Sequence, residues 1–116
     1  MKTPLRILHL EDNRLDADLV LRKLRSGGLL CEILLVDDRR AYESAVDGQT
    51  FDLILCDYGI PGYSGEAAIR YAGQKCPAVP PLVLSGALGD EQAVNCLRIG
   101  AIDYLLKDHL ERLVPA

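Results

Sequence analysis

Five short, almost uninterrupted apolar segments recur along this chain, and they limit its fold more than any other feature. They are Leu5 to Leu10, Leu30 to Val36, Phe51 to Cys56, Leu82 to Ser85 and Ile102 to Leu106. Runs of this length rich in Ile, Leu and Val are typical of strands covered on both faces, whereas half-exposed strands alternate. Their starts lie 20 to 31 residues apart, which leaves room for one strand, one loop and one helix each.

Between these runs the apolar residues adopt helical spacing. The predicted buried stripes are Ala17, Val20, Leu21 and Leu24; Ala41, Tyr42, Ala45 and Val46; Ala68, Ile69, Ala72 and Cys76; and Ala93, Val94, Leu97 and Ala101. Asn13 is expected to cap the first helix, with Asp16 in its first turn, and Ser64 to cap the third. The pattern therefore predicts five strand and helix pairs, (βα)5.

This alternation in so short a chain predicts an α/β fold with one open, doubly wound parallel sheet and helices on both faces. Right-handed crossovers and five strands favour the strand order 2-1-3-4-5. In that order the sequence of strands reverses between strands 1 and 3, and a crevice opens beyond their carboxyl ends. We expect the functional residues to lie there.

Composition narrows the class of protein. The 116 residues are 49% hydrophobic with a net charge of −4, which predicts a single globular domain over residues 1–116 and excludes intrinsic disorder. The 13 Lys and Arg residues are scattered and outnumbered by 17 acids, which argues against direct nucleic-acid binding. No apolar run approaches the ~20 residues of a membrane-spanning helix, and no signal-peptide pattern is present. We expect a cytoplasmic protein without membrane insertion.

Cysteine and histidine have simple interpretations in this sequence. Cys31, Cys56, Cys76 and Cys96 lie 20 to 25 residues apart without a C-x-x-C pair, which favours buried free thiols over a zinc or redox site. His9 lies inside the first strand and is interpreted as a core histidine with satisfied polar atoms, not as a ligand.

Carboxylates follow two strands that are expected to be neighbours. Glu11 and Asp12 come after strand 1, and Asp57 comes after strand 3. Adjacent strands lie about 4.8 Å apart, so the three acids should share a small volume. Like charges so close repel unless a cation neutralises them. A hard divalent ion such as Mg²⁺ fits, because it takes one or two carboxylates together with a phosphate oxygen.

Two more residues complete this constellation. Ser85 ends strand 4 and Lys107 follows strand 5. Lys107 offers a fixed positive charge and three donors to a phosphoryl group held at Asp57, and Ser85 offers one hydroxyl. The predicted set is a nucleophilic carboxylate, a metal site opposite it and two groups that hold phosphoryl oxygens.

Four motifs in order now make the sequence resemble a known family. They are H-L-E-D-N at 9 to 13, C-D-Y-G-I-P-G-Y-S-G at 56 to 65, L-S-G-A at 84 to 87 and G-A-I-D-Y-L-L-K at 100 to 107. Over essentially its whole length the chain resembles the receiver domain of two-component response regulators. The resemblance implies a flavodoxin-like fold and a phosphoacceptor domain of a phosphorelay.

The resemblance also implies roles for the acids. Asp57 would accept a phosphoryl group from a histidine kinase or phosphotransfer domain. Asp12 and Asp57 would bind Mg²⁺ directly, Glu11 would bind it through water, and the Gly59 carbonyl would add a backbone ligand. Such domains assist both their own phosphorylation and their own dephosphorylation, which is slow, and they are not conventional enzymes.

Other residues would hold the phosphoryl group or respond to it. Ser85 and Lys107 would contact its oxygens, aided by the backbone N–H groups of Tyr58 and Gly86. Ser85 and Tyr104 would act as the conformational switch, which changes the face formed by helix 4, strand 5 and helix 5. Homodimerisation through this face is common in the family and stays open here.

The end of the chain departs from the family pattern. Asp108 stands where the family usually has a proline, so the Lys107–Asp108 bond is expected to be trans, or strained, since a non-proline cis bond costs about 2.5 to 4 kcal/mol. The last helix would be short. The L-L-K-D-x-L-x-R-L ending resembles receivers attached to sensor or hybrid histidine kinases, so we interpret the chain as a domain excised from a longer protein.

Each of these residues also has a purely structural interpretation. Glu11 and Asp12 can favour the start of a helix, Asp57 can form a turn, and Ser85 can satisfy backbone groups at a strand end. Lys107 can be a solvated surface residue, and Tyr104 can simply pack in a strand. Only their combination at one edge of the sheet favours function.

Two other functions are alternatives to phosphoryl acceptance. A phosphorylation-independent interaction module would be favoured by loss of Asp12, Asp57 or Lys107, and all three are present. A metal-dependent phosphatase would need a general base, and no histidine or second carboxylate lies near Asp57 in the sequence. We therefore expect at most slow hydrolysis of a phosphorylated Asp57.

Overall fold

A computed structural model describes residues 4–86 and 90–107, which form five strands and four helices in alternation. The strands are β1 (Leu5–Leu10), β2 (Cys31–Val36), β3 (Leu53–Asp57), β4 (Pro81–Ser85) and β5 (Asp103–Leu106). The helices are α1 (Arg14–Ser26), α2 (Arg39–Gly48), α3 (Gly65–Lys75) and α4 (Asp90–Arg98). The predicted fifth helix and the Lys107–Asp108 bond lie outside the described residues.

All five strands belong to one parallel sheet in the order β2-β1-β3-β4-β5, which confirms the predicted topology. Strand β1 pairs with β2 on one side and with β3 on the other, and Ile7 lies opposite both Ile33 and Leu53. Because every pairing is parallel, the carboxyl ends of the strands lie along one edge of the sheet. The strand order reverses between β1 and β3, where the crevice was expected.

Helices cover the two faces of the sheet. Side chains alternate between the faces of a strand, so neighbouring β1 residues enter different cores. Ile7 belongs to a cluster with Val20 and Leu24 of α1, whereas Leu8 belongs to a cluster with Tyr42 of α2. The inner strands are therefore buried on both sides, as their continuous apolar runs predicted.

Two expectations about burial were wrong. In β2 only Val36 is fully buried, and Leu35 is 40% exposed, because β2 is an edge strand with a neighbour on one side only. On α4, Val94 and Leu97 are about half exposed, and the buried residue is Cys96. The apolar stripe of this helix was assigned to the wrong face, since the sheet takes Cys96 and leaves its larger apolar neighbours to solvent.

Side-chain caps fix where the helices begin. The Asn13 side chain accepts hydrogen bonds from the backbone N–H groups of Leu15 and Asp16, and the Ser64 hydroxyl accepts one from Ala67, which confirms both predicted caps. Asp38 caps α2, which was not predicted. In the described part of the chain, no helix is long and apolar enough to cross a membrane.

All four cysteines are free thiols, as predicted. Cys56 and Cys96 are buried, but Cys31 and Cys76 are only half-buried. Burial raises the pKa of the Cys56 thiol to about 12, so this thiol stays protonated and packs as an apolar side chain. The expectation of buried thiols therefore holds for two of the four.

Candidate functional site

The carboxyl edge of the sheet gathers the predicted site residues from four strand ends. Asp57 is the last residue of β3 and Ser85 is the last residue of β4, whereas Glu11 directly follows β1 and Lys107 directly follows β5. Residues far apart in the chain therefore meet because parallel strands end at the same edge. Asp57 and Ser85 both line one cleft with Asp12 and Lys107.

The three predicted acids lie close together. Glu11, Asp12 and Asp57 each offer a carboxylate oxygen within 4.8 Å of the others. Glu11 and Asp57 are buried, and Asp12 is exposed to solvent. Several carboxylate oxygens in so small a space suit a hard divalent cation that keeps part of its water shell, so the donor set fits Mg²⁺.

Lys107 neutralises part of this negative charge. Its Nζ lies 2.8 Å from Glu11 Oε1, 2.8 Å from Asp16 Oδ2 and 3.2 Å from Asp57 Oδ2. The Lys107 side chain is only 17% exposed, so the interpretation as a solvated surface lysine is wrong. The Lys107 ammonium therefore faces the acids at the edge of the sheet.

Together, burial and the neighbouring charges raise the pKa of both the Glu11 carboxyl and the Lys107 ammonium, which favours a neutral acid and a charged lysine. Burial, together with the neighbouring Asp57, raises the pKa of Glu11 to about 7, although Lys107 opposes the shift. For Lys107, burial alone would lower the pKa, but its contacts with Asp16 and Glu11 and the charge of Asp57 raise it above its usual range. Lys107 is therefore a permanent cation, and a bound metal would favour the ionised form of Glu11.

The backbone after Asp57 gives one correction. Tyr58 donates its N–H to the Leu84 carbonyl at 2.9 Å, as a continuation of the β3 and β4 ladder. It is therefore engaged within the sheet and does not face the Asp57 carboxylate. The amide that does so belongs to Gly59, whose N–H donates to Asp57 Oδ1 at 3.1 Å.

The segment between Asp57 and α3 depends on two glycines. Gly62 has φ +77°, a backbone conformation that residues with a Cβ rarely adopt. A Cβ at Gly65 would lie 2.7 Å from Tyr58 Cδ1, so only glycine allows α3 to begin this close to the Tyr58 ring. The tyrosine is also held by its hydroxyl, which donates to Glu66 Oε1 at 2.9 Å. These contacts fix the loop that leaves Asp57.

The strands on the other side of Asp57 place Ser85 and Tyr104. Ser85 is buried, and its carbonyl accepts a hydrogen bond from the Lys107 backbone N–H at 2.8 Å, which ties the two strand ends together. Tyr104 is also buried and packs in a cluster with Val83 and Cys96. Its ring centroid lies 6.3 Å from that of Tyr58. The packing interpretation of Tyr104 is confirmed.

Three residues that line the cleft were not predicted for the site: Asn13, which was predicted only as a helix cap, Asp16 of α1 and Gln92 of α4. Asp16 had been interpreted only as a first-turn acid, and nothing in the sequence connects it with Lys107, which lies 91 residues later. The feature that could have predicted Asp16 is its place in the chain, because α1 begins at the cleft and its third residue can face the cleft. Gln92 follows residues 87–89, which the structure does not describe.

His9 corrects a second expectation. It is buried as predicted, yet neither ring nitrogen has a hydrogen-bond partner in the described part of the chain. Burial, and then the charge of Lys107, lower the pKa of His9 to about 4, so the ring is neutral at pH 7. The description of its polar atoms as satisfied was wrong.

The site can perform one kind of chemistry well. The buried Asp57 carboxylate shares a group of acids that could hold a cation with Glu11 and Asp12, and its Oδ2 lies 3.2 Å from the Lys107 ammonium. Lys107 supplies positive charge on one side of Asp57, and a divalent cation held by the acids would supply it on the other, which would favour the approach of an anionic group to a carboxylate that otherwise repels it.

Comparison with known proteins agrees with this geometry. The family model of the response regulator receiver domain matches residues 7–116. The transcriptional regulatory protein ZraR of Escherichia coli (strain K12) is 32% identical over 101 residues, which cover 87% of this chain and 22% of that protein. The chain thus spans about a fifth of the length of that curated relative.

Solved structures share the fold. The receiver domain of Francisella response regulator 1452 has a TM-score of 0.81 at 20% identity, covering 95% of this chain and 90% of that one. A response regulator from Burkholderia pseudomallei, solved with a phosphorylated aspartic acid and a calcium ion, has a TM-score of 0.78 at 24% identity, covering 89% and 59%. Because the family model covers nearly the whole chain, this protein belongs to the response regulator receiver domain family.

Proposed function

We propose that this domain accepts a phosphoryl group on Asp57 from the phosphohistidine of a histidine kinase or phosphotransfer domain. The observation that carries this proposal is the position of Asp57, which shares the acid group with Glu11 and Asp12 and also lies 3.2 Å from Lys107 Nζ. A buried acid beside both a candidate cation site and an ammonium favours a role in phosphoryl transfer over a purely structural role.

The nucleophile of the proposed transfer step is the Asp57 carboxylate itself. An Asp57 carboxylate oxygen attacks phosphorus, an oxygen–phosphorus bond forms, and the bond from phosphorus to the donor imidazole nitrogen breaks. The imidazole keeps the electron pair, and the product on Asp57 is an acyl phosphate. Lys107 and Ser85 would hold the phosphoryl oxygens, together with the Gly86 backbone N–H and the Gly59 N–H, which replaces that of Tyr58.

The proposed metal is Mg²⁺. Asp12 and Asp57 would bind it directly and Glu11 through water, with the Gly59 carbonyl as a backbone ligand. When bound, the ion would neutralise charge on the acids and on the incoming phosphoryl oxygens. The support for it is the chemistry of the donor set, oxygen atoms alone within 4.8 Å.

Phosphorylation would then switch the domain between two conformations. Ser85 would move toward the phosphoryl group and Tyr104 would respond, which changes the face of α4 and β5. A modification of this charge can tip two states that differ by a few kcal/mol. This face is also the proposed site of homodimerisation, since Val94 and Leu97 leave apolar surface on α4.

The parent protein is proposed to be longer than residues 1–116. The ending of the chain favours a receiver attached to a sensor or hybrid histidine kinase, whereas ZraR is a transcriptional regulator of which the matched part is 22%. The full-length gene product distinguishes the two, because it would carry either kinase domains or a DNA-binding output domain.

Phosphorylation in solution tests the proposed acceptor. The chain is incubated with Mg²⁺ and acetyl phosphate, and the intact mass is followed for one added phosphoryl group. The wild type is expected to gain one group, and Asp57→Asn none. Asp37→Asn, which removes an exposed carboxylate after β2, serves as the matched control and should be labelled normally.

Three results would count against the proposal. Labelling of Asp57→Asn would place the acceptor elsewhere, and labelling that needs no divalent ion would remove the metal from the site. A wild type that stays unlabelled, yet binds a partner, would favour a phosphorylation-independent module. The phosphoryl group is expected to persist for longer than minutes, because Glu11 and Asp12, the carboxylates beside Asp57, are proposed to hold the metal and are then not free to act as general bases.

A further inference from the structure

Asp16 is the contact of Lys107 that the proposed function does not use. Its Oδ2 accepts a hydrogen bond from Lys107 Nζ at 2.8 Å. The contact of Lys107 with Glu11 is equally short, but Glu11 Oε1 has no hydrogen-bond geometry in the described structure. Asp16 is therefore the best-aligned acceptor of the lysine among the described side chains.

Asp16 also lies outside the group of acids that suits a metal. That group consists of Glu11, Asp12 and Asp57. The Asp16 side chain is 30% exposed, whereas those of Glu11 and Asp57 are 0% and 7% exposed. Its closest cation is Lys107, and it faces the cleft from α1 instead of from a strand end.

The position of Asp16 is fixed by the start of α1. Its backbone N–H donates to the Asn13 side chain at 3.2 Å, and the Asn13 N–H donates to Glu11 Oε2 at 3.2 Å. The capped first turn thus holds Asp16 in a fixed relation to the acids. A lysine side chain has four flexible carbons, so a fixed counterion limits where its ammonium can lie.

A divalent cation changes which contacts the lysine can keep. Glu11 and Asp57 are partners of Lys107 in this structure and also proposed ligands of the metal. Once a cation shares these two carboxylates, their attraction for the ammonium falls and like charges repel. Asp16 then remains as its counterion, at a position from which Lys107 already reaches Asp57 Oδ2.

We propose that Asp16 is a positioning residue that keeps the Lys107 ammonium at Asp57 while the metal is bound and the phosphoryl group arrives. The inference rests on the proposed function and extends it to a residue of α1. The alternative is that Asp16 only stabilises the first turn of a helix, where acids are favoured in any case. In that event its removal would change stability and not phosphoryl transfer.

The rate of phosphorylation by acetyl phosphate at saturating Mg²⁺ separates the two. Asp16→Asn is expected to slow labelling about 10-fold, the effect of one hydrogen bond to a charged group. Asp18→Asn removes another α1 acid, one that pairs with Arg22, and should stay within about 2-fold of the wild type. The Mg²⁺ concentration for half-maximal labelling should change little in Asp16→Asn, because Asp16 is not a proposed ligand.

A double-substitution test shows whether Asp16 acts through the lysine. In a Lys107→Met background, Asp16→Asn should cause no further loss of rate, since the group that it positions is gone. Asp16→Glu keeps the charge and should recover most of the wild-type rate. If Asp16→Asn unfolds, Asp16→Glu and Asp16→Gln are compared instead, after each has been shown to unfold cooperatively. Asp16→Gln, which lacks the charge, is then expected to be labelled more slowly than Asp16→Glu.

Two results would overturn this inference while leaving the proposed function intact. One is a wild-type labelling rate in Asp16→Asn. The other is an equal loss of rate from Asp16→Asn with and without Lys107, which would mean that Asp16 acts independently of the ammonium. A wild type that takes no phosphoryl group at all would instead overturn the proposed function, and this inference with it.

Discussion

The two sides of Asp57 are built from different interactions. On the side of β1 and α1, charged groups hold the site, and Lys107 links Glu11, Asp16 and Asp57 at 2.8 to 3.2 Å. On the side of β4, β5 and α4, the contacts include the sheet ladder and the packing of Tyr104 among apolar residues. Ion pairs thus characterise the first side, and the sheet ladder and apolar packing contribute to the second.

This difference suggests a division of tasks. Electrostatic contacts respond directly to a cation or a phosphoryl group, because each adds charge where charge already decides the geometry. Packing responds only to volume and shape, since a close-packed cluster has few intermediate arrangements. The charged side is therefore suited to binding and transfer, and the packed side to carrying two discrete conformations.

Removal of Lys107 from the charged side should have the largest effect on phosphorylation. Lys107→Met is expected to slow phosphorylation of Asp57 about 100- to 1,000-fold, because a group that stabilises charge in the transfer step is lost. Without divalent ions the variant should also melt at a lower temperature, since Glu11 and Asp57 lose their counterion, and Mg²⁺ should restore part of the loss.

Lys75→Met, which removes an exposed lysine of α3, is the control for Lys107→Met and should behave like the wild type. Labelling rates by mass and thermal melting by circular dichroism are the measurements. Rapid labelling of Lys107→Met would contradict the role of charge on this side.

Truncation of Tyr104 should break the packed side without touching the charged one. Tyr104→Ala leaves a cavity among Val83, Cys96 and their neighbours, and is expected to lower the free energy of unfolding by about 2 to 3 kcal/mol. The added stabilisation by Mg²⁺ should remain as in the wild type. Chemical denaturation with and without Mg²⁺ measures both quantities.

Tyr104→Phe keeps the ring and is the matched control, with an expected loss below about 1 kcal/mol. If Tyr104→Ala unfolds at the same denaturant concentration as the wild type, the ring contributes no packing. If it instead removes the response to Mg²⁺, the two sides are not separate.

Ser85 lies where the two sides meet, and its substitution is expected to have the smallest effect of the three. Ser85→Ala removes one proposed hydroxyl contact to the phosphoryl group and should slow labelling about 10-fold. The free energy of unfolding should fall by no more than about 1.5 kcal/mol, the upper range for one hydrogen bond, and the Mg²⁺ dependence should change little. Ser44→Ala, at an exposed position of α2, is the control, and equal labelling rates for the two variants would exclude a role of the Ser85 hydroxyl.

Much of the fold could be predicted because its signals are local. The apolar runs located all five strands to within two residues at each end, and the largest difference is at the start of β3, predicted at Phe51 and observed at Leu53. Asn13 and Ser64 were recognised as caps because a capping side chain bonds to backbone only two or three residues away. The face of α4 was mistaken because its burial depends on where the helix docks, which its own residues do not encode.

The predictable part of the site followed from topology. The approach of Asp12 to Asp57 could be expected because both acids follow neighbouring strands of a parallel sheet. Two features could not be predicted, because they depend on ladder register and on packing across the sheet: the bond from the Tyr58 N–H to Leu84, and the lack of hydrogen-bond partners for the His9 nitrogens among residues 4–86 and 90–107. Neither leaves a trace in residue spacing.

The sequence by itself determined the order of strands and helices, the family and the acids that gather at one edge, because periodicity and motif position are properties of the chain. Only the tertiary structure decided how the charges are shared. Lys107 meets Asp16 across 91 residues, and a contact of that kind exists only once α1 and β5 have docked on the same sheet. The physical reason is that electrostatic energy depends on distance in space, which the sequence fixes only through folding.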